Sequence, residues 1–271
     1  MTLLTGGAFG AETLLDVTFD RMYRHNFSGA VEAANTFIGQ HPEDPLGYTV
    51  RASAHLFSEL DRLQILESEF FGNNKRITDK RKPKPDLALK GAIFRSLEIA
   101  RRLGRERLGV KPDDTNALFA LCLAAGVETD YLALVEKRQF GSLTHAKESH
   151  AWAVKLLAID PAFHDAHLTT GLSEYLLGSV PFFVRWFLKF EQAEGTKDAA
   201  VRNLQKVAAS GRYLRPFAKV LLAIIHLREK RPAEVERLLG ELSREFPENP
   251  LFRKELEKIS RRKEAASGGT R

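Results

Sequence analysis

Apolar residues recur at three- and four-residue intervals along almost the whole chain, which is the spacing of amphipathic α-helices. No segment alternates apolar and polar residues convincingly enough to indicate a β-strand. The pattern predicts helices over residues 14–23, 27–38, 46–71, 86–110, 117–137, 142–159, 162–177, 181–193, 197–209, 215–228, 232–246 and 250–262. The helix starting at 117 should be capped by the oxygen-bearing side chains of residues 113–116. The chain is therefore expected to be all-α.

Proline residues divide these helices in a repeating way. Residues 42–46 (Pro-Glu-Asp-Pro-Leu) have a near copy at residues 247–251 (Pro-Glu-Asn-Pro-Leu), and each follows a helical pattern. The two copies lie roughly six periods apart for a ~34-residue helix-turn-helix repeat. Pro112 and Pro161 end two further helical stretches between them. The spacing indicates stacked helix pairs.

The proline terminators, with small residues and apolar stretches before them, resemble tetratricopeptide (TPR) repeats. The matching positions of the last unit are Leu222, Ala223, Val235, Leu239, Leu242 and Pro247. The first unit matches at Ala30 and Pro42, but Thr18 and Arg21 stand where a small residue and an aromatic residue are expected. The middle units have longer helices and irregular spacing. Helical repeats of another class are the alternative.

The resemblance implies a right-handed solenoid of about five helix pairs plus a C-terminal end helix, with a concave protein-binding surface. We expect this TPR-like domain to span residues 12–262 and to contain an exposed basic loop at 73–85. Six Lys or Arg residues lie between Lys75 and Lys84. A solvated connection is the favoured interpretation of that loop, and an anion-binding segment is the alternative. Residues 263–271 are expected to be a disordered tail.

The composition excludes some classes of protein and site but does not identify the function. Hydrophobic residues make up 44% and charged residues 28% of the chain, as in ordinary folded proteins. The net charge of +6 is compatible with an acidic partner but falls short of a nucleic-acid-binding signature. Cys122 is the single cysteine, which excludes an intrachain disulfide and a cysteine-based zinc site. No apolar run is expected to approach the ~20 residues that cross a bilayer.

The first residues allow two interpretations. Residues 1–10 are uncharged, and Ala8-Phe9-Gly10 resembles the small-residue end of a signal peptide. Residues 1–11 are thus a signal-peptide remnant or a short flexible leader. The protein is cytoplasmic by default, and periplasmic or secreted if the remnant is real.

An aromatic segment at residues 181–190 is the first candidate partner-binding site. Its residues Phe182, Trp186 and Phe190 follow a four-residue spacing, and Phe183 lies beside them. A helix this apolar is most often part of a core. The alternatives are a partner interface and, less favoured, a membrane surface.

A second candidate site is a group of cationic residues near the last hairpin. Its members are Arg202, Lys206, Arg212, Arg215 and Lys219. On stacked helices they could converge into a clamp for the carboxylates of an acidic peptide. Exposed, solubilising charge is the alternative.

Catalytic and metal signatures are weak in this sequence. His164 and His167 are three residues apart, but no His-Glu-x-x-His pattern or third ligand accompanies them. No nucleophile elbow or phosphate-binding glycine loop occurs. We expect a non-enzymatic adaptor without metal or cofactor that binds a protein or peptide. The alternative is an exported or envelope-associated protein whose aromatic segment contacts a membrane or membrane-protein partner, which liposome flotation would reveal.

Overall fold

The computed structural model describes residues 13–67, 84–179 and 196–268, and within these ranges the protein is all-helical. Eleven α-helices occur there. They are α1 (Leu14–Tyr23), α2 (Phe27–Gln40), α3 (Pro45–Arg62), α4 (Leu87–Val110), α5 (Thr115–Asp130), α6 (Gln139–Ile159), α7 (His167–Ser179), α8 (Lys197–Ser210), α9 (Arg215–Arg228), α10 (Pro232–Glu245) and α11 (Pro250–Gly268). A π-helical turn, Tyr131–Val135, extends α5, and a 3-10 turn, His164–Ala166, precedes α7.

Aspartate side chains begin three of these helices. Asp44 accepts a hydrogen bond from the amide of Leu46, and Asp114 accepts one from the amide of Ala117, both at 2.9 Å. Asp86 does the same at the start of α4. First-turn amides have no partner within the helix, so an aspartate at this position satisfies them. The predicted cap before the helix at 117 is confirmed, with Asp114 as the capping residue.

Two helix ends differ from the sequence-based expectation. Helix α3 ends at Arg62 rather than near residue 71, because Gln64 adopts a left-handed backbone (φ 57°) and the Ile65 amide bonds back to the Leu60 carbonyl at 2.8 Å. This geometry ends the helix at a position where the sequence contains no glycine or proline to indicate a helix end. Helix α11 continues to Gly268, so residues 263–268 of the expected tail are helical. The leader, most of the basic loop and the aromatic segment lie outside the described residues.

The described helices pack in consecutive pairs. Helix α1 packs on α2, α3 on α4, α5 on α6, α7 on α8 and α9 on α10, while α11 packs on α10. Among the described helices α7 packs on α8, and the helix predicted at 181–193 lies outside the described residues. Helix α3 also contacts α1 and α5, so the first helices of the first three described pairs meet.

A continuous hydrophobic core runs from α1 to α11. One cluster of buried side chains includes Leu15 of α1, Leu204 of α8 and Ile259 of α11. Packed against it, the ring of Phe57 on α3 meets the ring of Phe217 on α9 edge to face, with centroids 5.7 Å apart. The first helices of the second and fifth pairs are thus in contact. Side chains of α3 and α9 therefore fill the space between these two helices.

The first helix also contacts the last three. The Tyr23 hydroxyl of α1 donates to the carbonyl of Tyr213 just before α9 (2.8 Å). The Asn249 amide before α11 donates to the Tyr23 carbonyl (2.7 Å), and Arg24 pairs with Glu248 (2.8 Å). We call this set of contacts the terminal closure. It joins the two ends of the helix array to each other.

One described helical stretch, Thr115–Val135, is long and apolar enough to cross a membrane by length and composition, contrary to the expectation from sequence. However, 67% of its most apolar window is buried inside the protein. Its residues Leu118, Phe119 and Leu121 are almost fully enclosed by other helices. Such burial is typical of the central helix of a helical core.

Candidate binding surfaces

Three of the predicted cationic residues are paired with the chain's own carboxylates. Arg212 makes a two-pronged ion pair with Asp16 of α1, through Nε–Oδ1 (2.9 Å) and Nη2–Oδ2 (2.8 Å). Arg215 and Lys219 both pair with Glu245 of α10, with Lys219 Nζ 3.3 Å from Oε2. An incoming carboxylate would have to compete with these internal acids. The sequence could not show this, because Asp16 is distant along the chain.

The other two predicted cations lie on α8 and are exposed. Neither Arg202 nor Lys206 forms an ion pair with a carboxylate within the described ranges. Burial lowers the pKa of His167, and the positive charges of Lys206 and then His164 lower it further. The structure therefore divides the predicted group of cations into a paired set and a solvent-facing set.

The aromatic candidate site lies outside the described residues, so the role of its members stays a prediction. They are Phe182, Phe183, Trp186 and Phe190.

A cleft opens where four helix-to-helix turns come together, and we call it the turn-end cleft. Its volume is about 320 Å³. Its lining residues are Leu46, Thr115, Asn116, Phe119, Asp160, Ala162, Phe163, His164, Asp165, Ser210, Arg212 and Tyr213. A chain of aromatic rings forms its floor: the Phe119 ring is 4.8 Å from that of Phe163 and 6.1 Å from that of Tyr213, which stacks on Phe19 at 4.9 Å.

Asp165 fastens two of the turns at this cleft. The side chain is only 4% exposed, and its carboxylate accepts hydrogen bonds from the amides of Arg212 (3.1 Å), Tyr213 (3.3 Å) and Leu214 (2.9 Å). Burial raises the pKa of Asp165, and these three N–H groups oppose the rise. The turn before α7 is thus bound to the turn before α9 through a single carboxylate.

Gly211 lies beside this carboxylate, where there is no room for a side chain. Gly211 follows the last residue of α8, and its φ of −65° is accessible to any residue. A Cβ at this position would lie 2.7 Å from the Val207 carbonyl oxygen and 2.8 Å from Asp165 Oδ1. The missing side chain is what allows the two turns to approach each other.

Several polar groups of the cleft are engaged in holding the turns, although the buried Nδ1 of His164 has no hydrogen-bond partner among the described residues. Asn116 Nδ2 donates to Asp44 Oδ1 (2.9 Å), and Asp160 Oδ1 accepts from the amide of Ala162 (3.0 Å). The pair His164 and His167 belongs to no cluster of three or more potential metal ligands in the described part of the chain. The geometry of the cleft is that of a structural junction.

The buried thiol is also placed for packing rather than reactivity. Cys122 Sγ lies 3.3 Å from Thr169 Oγ1 and 3.7 Å from Ser149 Oγ. Burial raises the pKa of Cys122, more than these hydroxyl contacts lower it. A thiol held in the neutral form is a poor nucleophile.

A second, larger cavity lies along the outer face of α4, and we call it the α4 groove. Its volume is about 610 Å³. Its lining residues are Phe94, Glu98, Arg101, Arg102, Arg105 and Glu106. Arg101 pairs with Glu128 of α5, and Arg105 pairs with Glu148 of α6 at 3.4 Å. Arg102 pairs with Glu106 one turn along the same helix at 3.1 Å, so the groove presents guanidinium groups next to one aromatic ring.

Sequence reasoning missed the α4 groove. The only available signal was the spacing of Arg101, Arg102 and Arg105, which places them on one side of a helix. Charged residues at such spacing usually form a solvated face, so the spacing alone did not indicate a cavity.

Sequence similarity adds no function to this geometry. A scan against protein-family models found no match to the chain, and a search of curated proteins found none either.

Proposed function

We propose that this protein is a non-enzymatic, TPR-like helical-hairpin scaffold that binds a protein or peptide partner on its outer surface. The consecutive packing of helix pairs supports the repeat architecture, as do the contacts of α3 with α1 and α5. In TPR-like arrays the first helices of neighbouring pairs stack in this manner, and extended binding surfaces follow from the stacking.

The filled interior moves the expected partner site away from the concave side. Phe57 and Phe217 meet between α3 and α9, where a peptide would lie in an open superhelix. A partner can reach the outer grooves without disrupting this contact. The α4 groove is the larger of the two cavities described above, and its lining residues all lie on α4, the second helix of its pair.

The main support for this proposal is the composition of the α4 groove, in which three arginines lie beside one aromatic ring. Arginine and aromatic side chains are the types most enriched at the energetic centres of protein interfaces. Arg102 and Arg105 remain 59% and 62% exposed even though each is paired with a glutamate. Their guanidinium groups are therefore accessible to a partner.

Site-specific photo-crosslinking tests this proposal. A photoreactive amino acid would replace Arg102 in the α4 groove and, as the matched control, Arg237 on α10. Arg237 is 55% exposed and pairs with Glu234 and Glu241, so it has a similar setting outside the groove. We expect a discrete crosslinked protein from position 102 only.

A second arm uses charge reversal. Arg102→Glu with Arg105→Glu should abolish that crosslinked product from a probe at position 98, while Arg237→Glu should leave it unchanged. Equal crosslinking from positions 102 and 237, or no effect of the double reversal, would count against the α4 groove as the binding surface.

A further inference from the structure

Three helices of the N-terminal half meet around one guanidinium group, that of Arg51 on α3. Its Nε donates to Ser96 Oγ of α4, and its Nη1 donates to Asn35 Oδ1 of α2, both at 3.1 Å. The ring of Tyr48 stacks against it, with 5.3 Å between the guanidinium carbon and the ring centroid. Arg51 is held on three sides by uncharged groups. Its orientation is therefore set before any ligand arrives.

Arg51 is partly buried but makes no ion pair with a carboxylate in the part of the chain that the structure describes. Two other partly buried arginines have a carboxylate partner: Arg101 pairs with Glu128, and Arg107 pairs with Asp114 at 3.0 Å. Arg21 instead donates to the carbonyl of Gly29 at 2.7 Å. Charges removed from water are normally neutralised by a partner. An oriented, partly desolvated cation without such a partner gains strongly from an external anion.

Two further basic side chains reinforce this charge. His55 follows Arg51 by one turn of α3, and Arg95 lies on the facing helix α4. Burial lowers the pKa of His55, and the positive charges of Arg51 and Arg95 lower it further. The Arg95 guanidinium folds back over Gly91, where an added Cβ would lie 2.9 Å from Nη1. Glu98, three residues further along α4, forms no ion pair with Arg95 among the described residues.

We propose that Arg51 and Arg95, flanked by Asn35 and His55, form a notch that binds a carboxylate side chain of an acidic protein segment. The proposal rests on the scaffold function, since it specifies the chemistry of the partner. Among the described residues, neither Arg51 Nη2 nor the Arg95 guanidinium donates a hydrogen bond to a side chain or forms an ion pair, so both remain to donate. Asn35 uses its oxygen on Arg51, which leaves its amide N–H groups as donors. Such charge-assisted bonds fit a planar carboxylate.

A carboxylate fits this notch better than a phosphate group does. Two guanidinium groups supply the charge, because the lowered pKa of His55 favours its neutral form. The cost of taking an ion out of water grows with the square of its charge, so a phosphate dianion costs about four times as much as a carboxylate. Arg51 has also committed two of its donor groups to Ser96 and Asn35. Few donors remain for three phosphate oxygens.

The imidazole of His55 provides a local readout. Its NMR signal is assigned by its loss in His55→Gln. Its pKa is then measured for the protein alone, with a blocked tetraglutamate peptide, with a blocked tetraglutamine peptide and with inorganic phosphate, all at constant ionic strength. The glutamate peptide should raise the pKa of His55, because a nearby anion favours the protonated form. The glutamine peptide should leave it unchanged.

Variants identify the groups responsible. Arg51→Gln and Arg95→Gln should each weaken binding of the glutamate peptide by about tenfold or more, as expected for loss of a charge-assisted bond. Arg253→Gln, which removes an exposed arginine of α11, should bind as the wild type does. Arg95 is itself exposed, so Arg95→Gln keeps the test valid even if Arg51→Gln unfolds.

Three results would overturn the notch. They are equal effects of the two peptides, a shift caused by phosphate at lower concentration than by the glutamate peptide, and unchanged binding by both arginine variants. The scaffold function fails separately, through crosslinking at position 102. If the natural partner still crosslinks there with full efficiency in Arg51→Gln and Arg95→Gln, the scaffold stands and the notch does not.

Discussion

The carboxylate of Asp165 should be one of the most important single groups for the stability of this fold. Replacing it by alanine removes the acceptor of three amide hydrogen bonds that join the turn before α7 to the turn before α9. The bonds from Tyr213 and Leu214 are buried, whereas the bond from Arg212 is only partly so. Water can therefore replace the acceptor at Arg212 more easily than at the other two.

The loss of free energy of unfolding in Asp165→Ala follows from the hydrogen bonds that it removes. A buried donor left without an acceptor costs about 1–3 kcal/mol, so two such donors cost about 2–6 kcal/mol. Removing the carboxylate also relieves the cost of burying a charge, the same cost that raises its pKa. We expect Asp165→Ala to lower the free energy of unfolding by about 3 kcal/mol at pH 7. Asp165→Asn keeps one acceptor oxygen and should cost roughly half as much.

Urea denaturation followed by circular dichroism measures this difference. The control is Asp113→Ala, which removes an exposed aspartate and should change the free energy of unfolding by less than about 0.5 kcal/mol. If Asp165→Ala is within about 1 kcal/mol of the wild type, the three amide bonds do not hold the turns together. The turn-end cleft would then not be a structural junction.

Three further substitutions probe other parts of the fold. Gly211→Ala should lower the free energy of unfolding by about 1–3 kcal/mol, because its Cβ would overlap the Val207 carbonyl; an unchanged urea midpoint would contradict this. Burial raises the pKa of Asp130 to about 7, above its unfolded value of 3.8. The contribution of Asp130 to the free energy of unfolding is therefore fully present below about pH 4 and is lost as pH rises through about 7. Asp130→Asn should therefore raise the melting temperature at pH 8 and leave it unchanged near pH 4. The increase at pH 8 should correspond to roughly 1–2 kcal/mol, because the side chain is not fully enclosed and water screens part of the cost of its charge. Glu59→Gln should cost about 3 kcal/mol in a urea titration, because Glu59 is fully buried and accepts two bonds from Arg62; a loss below about 1 kcal/mol would show that the pair is dispensable.

Local sequence signals predicted much of the secondary structure. The bounds of α1 and α9 were confirmed to the residue, and the cap before α5 was confirmed at Asp114. These features depend on residues within one or two turns of each other, so the sequence contains them directly. The end of α3 was missed because Gln64, an ordinary residue, adopts a left-handed backbone. Contacts with other parts of the fold, rather than the local sequence, determine the backbone conformation of such a residue.

The binding surfaces depend on contacts that sequence spacing does not contain. Arg212 and Lys219 looked available for a partner, but Asp16 and Glu245 approach them from other helices. Conversely, Arg51 gave no signal in the sequence, because its unusual setting requires α2, α3 and α4 to meet around it. The charge pattern identified the residue types, and only the fold shows which charges are already neutralised.

The terminal closure changes how the molecule should unfold. In an open repeat array each unit touches only its neighbours, so the end units fray first and unfolding spreads inward. Here Tyr23 and Asn249 bind the first helix to the last ones, which couples segments from opposite ends of the chain. Contacts of such long sequence separation slow folding and make unfolding more cooperative. Amide hydrogens of α1 should therefore exchange at rates close to those of the central helices, as in a globular domain.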